Sequence, residues 1–271
     1  MADVYFDSRK KGIGIDFKEL FDYRDLFVIL AYRDLRVRYA QTFLGLFWAF
    51  LQPAATLLIF ILIFGKAVKV DTGEIPYPLF ALTGMSAWAY FSFVLSQSGQ
   101  SIIGAQEMVK KIYFPRLVIP LSKSMVAFVD FFIAMVFVIV LMLVYRYPVS
   151  GNLIWFPVFF LVNVVAALAV GIWLSALTIR YRDFIHVIPF LVQFGLYATP
   201  VGYPASLIPE KYQFIYHLNP MAGVVEGFRF SLLGEGNINM FSYLSFLIIG
   251  LLFVSGILYF KKVERVMADI V

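Results

Sequence analysis

The run IPYPLFALTGMSAWAYFSFVLSQSGQSIIGAQ, residues 75–106, contains no Asp, Glu, Lys or Arg. A bilayer hydrocarbon core of about 30 Å is crossed by roughly 20 helical residues rising about 1.5 Å each, so this run spans it with turns to spare. Four further stretches pass the same test, at 39–65, 147–179, 184–209 and 236–260. A sixth is interrupted: residues 131–145 are uncharged but short, and the segment reaches full length from Leu117 only if Lys123 and Asp130 are tolerated inside it. The expected architecture is therefore an all-α membrane protein with spans at about 43–64, 79–103, 117–145, 153–178, 184–201 and 240–260. No connection is large enough for a separate folded domain, so residues 1–271 read as one transmembrane domain. No sequence repeat relates the first three spans to the last three, which argues against inverted-repeat architecture.

Composition excludes several classes of function. The chain is 62% hydrophobic and 14% charged, against about a quarter charged in soluble domains. Zero cysteines remove disulfides, thiol catalysis and thiolate-ligated metals. His186 and His217 are too few to build a metal site alone, so no metal is expected. Residues 1–14 carry charges and lack the apolar core of a cleavable signal peptide. A phosphate-binding loop needs Gly-x-x-x-x-Gly-Lys-Ser/Thr, because backbone amides must cradle the phosphates; Gly65-Lys66 is followed by Ala67. Any ATP hydrolysis must come from another polypeptide.

Basic residues tend to stay cytoplasmic. With the N-terminus inside, 17 of the 22 Lys and Arg fall on one side, leaving Lys66, Lys69, Arg146, Lys211 and Arg229 outside. Both termini are expected in the cytoplasm, and the net charge of +5 is a topology signal rather than a sign of nucleic-acid binding.

Local patterns supply candidate sites. Phe17, Leu20, Phe21, Phe27, Leu30 and Ala31 recur near helical spacing, while Lys18, Glu19, Asp22, Arg24 and Asp25 occupy other faces. This predicts an amphipathic interface helix over 17–38. Arg33, Arg36 and Arg38 adjoin a membrane entrance, where guanidinium groups either gather an anionic diphosphate headgroup or serve as salt bridges and lipid anchors. Phe43, Phe47 and Phe50 form an aromatic stripe on the first span, for which lipid contact is the ordinary explanation. Gln97 and Gln100, with Ser96 and Ser101, form a polar strip on the second span that can hydrogen-bond neighbouring helices. Ala167, Gly171 and Ser175 suit close helix packing. Asp130 costs about 3 kcal/mol at mid-bilayer; structural or gating use is expected over a proton relay, with Lys123 its nearest opposite charge on the span. Asp183 can cap the helix that follows. Pro200, Pro204 and Pro209 break regular helix, and Asn219-Pro220 offers an N-cap with proline at the first helical position. The helix from Pro220 to about Leu233 is too short to cross, and reads as a re-entrant or interfacial element on the outer side between spans five and six.

Four blocks in order resemble the permease subunit of ABC exporters of the ABC-2 type, polysaccharide-export branch. They are Leu30 to Tyr39 with Gly45, Trp48 and Gln52-Pro53; Lys110-Lys111-Ile112-Tyr113-Phe114-Pro115-Arg116; Arg180-Tyr181-Arg182-Asp183 leading to Pro189 and Tyr197-Ala198-Thr199-Pro200-Val201; and Leu218-Asn219-Pro220-Met221 with Glu226, Phe228 and Arg229. The resemblance implies a homodimer working with two copies of an ABC ATPase that hold ATP and Mg, and a lipid-linked glycan of O antigen, capsule or teichoic acid type as cargo, to which Phe43, Phe47 and Phe50 could offer stacking faces and Gln97 and Gln100 polar groups instead of serving lipid contact and helix packing. It implies a coupling surface at Glu107, Lys110, Lys111, Tyr113 and Arg116, with Arg180 and Arg182 as a second contact. It also implies an outer gate built on Pro200, Asn219, Pro220, Glu226 and Arg229, the last two spaced to pair on one helix face. The alternatives are an ABC-2 permease for a drug or lipid, and a proton-coupled carrier or membrane enzyme acting on lipid-linked sugars.

Overall fold

A computed structural model describes residues 17–39, 47–236, 238, 240–265 and 267. The described chain is helical, in the order α1 (Phe17–Asp22), α2 (Arg24–Tyr39), α3 (Phe47–Phe60), α4 (Tyr77–Gly104), α5 (Gln106–Lys111), α6 (Val118–Tyr145), α7 (Phe156–Arg180), α8 (Phe184–Ala198), α9 (Glu210–Tyr216), α10 (Pro220–Leu233) and α11 (Met240–Glu264). Among the described residues, five units are long and apolar enough to cross a membrane: Phe47–Ala67, Tyr77–Gly104, Val118–Tyr145, Gly151–Arg180 and Met240–Glu264. The first continues α3 through a wider turn, in which the Val68 amide reaches Ile63 O at 2.8 Å.

The charge-free run that opens the sequence becomes α4, the axis of the bundle. Its residues are buried nearly all round, and α6, α7, α8 and α10 pack on it. Apolar side chains do not drive helices together where lipid is equally apolar, so contact depends on close approach and on hydrogen bonds. Both are present. Ala167, Gly171 and Ser175 are all buried, and a Cβ on Gly171 would lie 2.8 Å from Ser98 Cβ. Thr178 Oγ1 donates to Gly99 O at 2.6 Å, Asn163 Nδ2 to Ala87 O at 3.1 Å, and Ser98 Oγ to Pro120 O at 2.8 Å. These bonds join α7 and α6 to α4.

The fifth expected span is shorter than its charge-free run allowed. Helix α8 stops at Ala198, giving 15 residues and about 22 Å of length, less than a hydrocarbon core. Proline at 200 holds Thr199 extended, at φ −101° and ψ 146°. Even so, the chain runs antiparallel to α4 from one end of the bundle to the other. Ile188 meets Gly99, Gly195 meets Trp88, Val201 meets Gly84, and Tyr77 donates to Gly202 O at 3.1 Å.

Two local expectations need correction, and a third stands. The interface helix is two pieces, broken at Tyr23, and Phe21 is 66% exposed although Leu20, Phe27, Leu30 and Ala31 turn inward. Asp183 occupies the cap position of α8 but makes no side-chain cap bond. Asn219 does cap α10, accepting from the Met221 amide at 2.9 Å with Pro220 behind it.

Candidate functional site

Between α3, α4, α6 and α8 lies a cavity of about 360 Å³. Its wall is mixed. Trp88, Phe93 and Phe131 supply aromatic surface, and Gln52, Thr56, Ser86, Ser92 and Ser96 supply hydroxyl and amide groups. Gln52 and Thr56 are one turn apart on α3, as are Ser92 and Ser96 on α4, so each pair presents its polar atoms on one face.

Arg38 and Asp130 stand in the same wall and form an ion pair, Nη2 to Oδ2 at 2.5 Å. The guanidinium also lies 4.4 Å from the centroid of Phe93, a cation–π contact, while the Tyr39 hydroxyl donates to the other Asp130 oxygen. Asp130 is thus paired with α2 rather than with Lys123 of its own helix. Lys123 instead bridges to Asp34, which Arg33 contacts at 2.8 Å. Burial pushes the Asp34 carboxyl up, but hydrogen bonds and charge from Lys123 and Arg33 outweigh it and hold the group below the usual range. Two ion pairs therefore brace α2 against α6. Of the three arginines, Arg36 keeps an exposed guanidinium with no partner among the described residues.

At the end of the bundle that carries α1, Tyr23 donates its hydroxyl to Tyr113 O at 3.5 Å, and the Tyr113 hydroxyl donates to Glu19 at 3.3 Å. The α1–α2 segment and the 106–116 connection thus share one surface. Glu107 and Lys111 pair across one turn at 3.0 Å, both exposed, and Lys110 is exposed beside them. Arg116 faces elsewhere: its amide donates to Glu264 Oε1 at 3.0 Å and its guanidinium to Glu264 O at 2.7 Å, tying the connection to the end of α11. Arg180 and Arg182 are exposed in the turn between α7 and α8, Arg180 lying over the Tyr181 ring at 5.4 Å.

The opposite end gathers the predicted gate residues, in a different pairing from the one expected. Asn219 Nδ2 donates to Thr199 Oγ1 at 2.9 Å and to Ala198 O at 3.2 Å, lashing the start of α10 to the break at Pro200. Arg229, 3% exposed, donates to Val201 O at 2.8 Å and to Tyr203 O at 3.5 Å, with its carbon 3.4 Å from the Phe80 centroid. The absence of a side chain at Gly84 makes room for it, since a Cβ there would lie 2.9 Å from Arg229 Nη2. Burial lowers the guanidinium to about 10, so it remains a cation at neutral pH. Glu226 does not pair with Arg229. Its carboxylate meets His217 Nε2 at 3.2 Å and accepts from Ser242 Oγ at 2.7 Å. Burial pushes the imidazole down, but Glu226 and the Gln213 carbonyl outweigh it and the pKa is raised.

The remaining candidates are not brought to the cavity. Phe47 and Phe50 are 56% and 41% exposed on the outward face of α3, Gln97 and Gln100 are exposed on α4, and Phe43 lies outside the described residues. Sequence reasoning missed Tyr39, Ser86, His217, Ser242 and Glu235. The polar pair Gln52 and Thr56 inside an apolar run was the available signal for the cavity.

A profile described as ABC-2 type transporter matches residues 25–233. The O-antigen export system permease protein RfbA of Klebsiella pneumoniae is 31% identical over 250 residues, covering 91% of this chain and 95% of the relative. The RfbA of Myxococcus xanthus is 29% identical over 214 residues, 78% and 82% of the two chains. The polysialic acid transport protein KpsM of Escherichia coli is 25% identical over 245 residues, 88% and 93%. With the matched region running from α2 to the end of α10 and the apolar helices in place, this multi-pass membrane protein belongs to the ABC-2 type transporter family.

Proposed function

We propose that the chain is the permease subunit of an ATP-driven exporter that carries a lipid-linked polysaccharide across the cytoplasmic membrane. The observation that carries this reading is similarity along about nine-tenths of the chain to permeases named for O-antigen export, joined by a relative named for polysialic acid transport. ATP and Mg belong to a separate ABC ATPase, present in two copies, and the permease acts as a homodimer with both termini in the cytoplasm.

Several features support the finer parts. A protomer cavity of about 360 Å³ is at the lower end of small-ligand pockets, so a polymer path needs a second copy. Phe190 and Phe194 stack at 5.9 Å on the exposed side of α8, and with Phe47 and Phe50 they offer aromatic surface to such a path. The passage of α8 and residues 199–203 along α4 supports a sixth crossing, completed beyond Ala198 by irregular chain that protein covers. The joint at Tyr113 supports ATPase docking on α1, α2 and Glu107 to Lys111. ATP-driven movement there reaches the cavity through the Asp34–Lys123 and Arg38–Asp130 braces. Engagement of Asp130 by Arg38 and Tyr39 favours a structural role over a proton relay.

Co-reconstitution with the cognate ATPase in proteoliposomes tests the reading. ATP-dependent movement of a lipid-linked glycan is expected, and none without the ATPase. Transport that persists without ATPase and follows a pH gradient overturns it.

A further inference from the structure

A second cavity, of about 270 Å³, lies at the α10 end of the bundle. Glu226, Arg229 and Glu235 line it, with Ser206, Gln213 and Phe230. Its charges are only partly used. Arg229 spends both terminal nitrogens on the carbonyls of Val201 and Tyr203, leaving Nε without a partner. Glu235 has a buried carboxylate oxygen, Oε2, with no hydrogen-bond partner, and it forms no ion pair with Arg229 among the described residues. Glu226 is fixed in place by His217 and Ser242. Buried polar atoms are nearly always satisfied, so unmet capacity beside an open cavity marks a place where water or a ligand completes the bonding.

The lining selects the ligand by its chemistry. Two carboxylates outnumber one guanidinium already committed to backbone, so the wall is rich in acceptors and favours a partner with several hydroxyl donors. Gln213 and Ser206 can both donate and accept. Phe230 offers an apolar face against which the C–H side of a ring can lie. An anion would meet Glu226 and Glu235, and an apolar molecule would strand all of these groups.

We infer that this cavity is a binding site for a sugar residue of the glycan on the exit side of the membrane, with Glu235 and Glu226 accepting from ring hydroxyls and Gln213 bridging. The inference rests on the export reading for its ligand, yet binding can be measured without transport. Ser206, in the same wall, is exposed and Glu235 is half-buried, so a ligand can reach the site from solvent. Asn219 and Arg229 tie α10 to the break at Pro200, and the cavity lies between α10 and residues 204–213 that follow the break, so occupancy also bears on how firmly these segments are held together.

The test uses the full permease–ATPase complex in nanodiscs and, as probe, an oligosaccharide released from the producing cell's own exported glycan. Hydrogen–deuterium exchange is followed with increasing probe. Slower exchange is expected in 204–213 and 226–236, with half-saturation shifted at least about tenfold by Glu235→Gln, the loss of one charge-assisted hydrogen bond. Ser206→Trp, at an exposed position, should abolish the effect by filling the mouth while thermal stability stays at the wild-type value. No protection in these segments at saturating probe overturns the site, as does protection indifferent to both substitutions. If the oligosaccharide binds here but proteoliposomes show no ATP-dependent export, the export reading fails and the site stands. Export without binding at the cavity gives the converse.

Discussion

Asp130 and Arg38 are 92 positions apart, and an apolar segment would carry neither charge alone without cost. Paired, with Tyr39 on the second carboxylate oxygen, they sit side by side at 26% and 37% side-chain exposure. Truncating one partner leaves the other half-buried without compensation. Fully buried pairs cost about 3–5 kcal/mol to break and exposed pairs about 1 or less, so Asp130→Ala is expected to cost roughly 1–2 kcal/mol. A double-mutant cycle with Arg38→Ala, read by thermal unfolding in detergent, should return a coupling of about 1 kcal/mol. Additive effects of the two substitutions would show that the pair contributes nothing.

His217 makes a prediction in pH. Its side chain is fully buried, and its folded pKa is raised by Glu226 and Gln213 against the effect of burial. A raised folded value means that the protonated imidazole favours the native state. The contribution is complete below the ordinary histidine value of about 6.5 and is lost as pH rises through the higher folded value. Wild-type protein should therefore exceed His217→Gln in melting temperature most strongly at mildly acid pH, and the gap should narrow on the alkaline side. A gap independent of pH between 5.5 and 9 would assign the residue to packing alone.

Among the elements, α4 and α7 show how little room their contact leaves. A Cβ on Gly171 meets Ser98 Cβ at 2.8 Å and Ser98 Oγ at 3.3 Å, and α4 is held from its other sides by α6 and α8, so neither helix can withdraw freely. Gly171→Val is expected to destabilise by about 1–3 kcal/mol through overpacking, seen as a lower melting temperature. At the other end, Asn219 serves two elements: it caps α10 and bonds Thr199 beyond α8. Asn219→Ala should cost about 1 kcal/mol for the cap and speed amide exchange at Met221 and Ala222, while α11 exchanges as before.

These elements also mark how far sequence reading reaches. The N-cap of α10 was legible because Asn-Pro acts within three residues. That residues 17–38 are helical was legible, but neither the break at Tyr23 nor the facing was, because Phe21 and Phe27 are equally apolar and only contact with the rest of the bundle decides which turns inward. The pairing of Glu226 was misread for a related reason. Spacing of three residues permits a bond to Arg229, but Val201 O and Ser242, from distant parts of the chain, offered each side chain a better-placed partner.

For the whole molecule, the testable quantity is the number of crossings. The sequence contains no cysteine, so single cysteines can be introduced without background. Ser150→Cys and Ser206→Cys should react with a membrane-impermeant maleimide from outside intact cells, and Glu107→Cys and Arg182→Cys only after permeabilisation. Labelling of positions 182 and 206 from the same side would remove the sixth crossing. Charge reversal at Lys110 and Lys111 should lower recovery of the co-purified ATPase about tenfold without changing the melting temperature, since both side chains are exposed.

From composition and order alone, the chain declared a helical membrane protein, because length and apolarity are local properties that need no neighbour. Five of the approximate spans, the short helix at Pro220 and the likeness to polysaccharide exporters were available at the same level. Only the tertiary structure decided which charges are spent on one another, that α8 ends at Ala198, that a cavity opens opposite the Phe47 and Phe50 face, and that Arg229 clasps the break at Val201. Each depends on atoms far apart in sequence coming within a few ångströms, and at that range hydrogen-bond geometry and desolvation, which no one-dimensional pattern carries, select the partner.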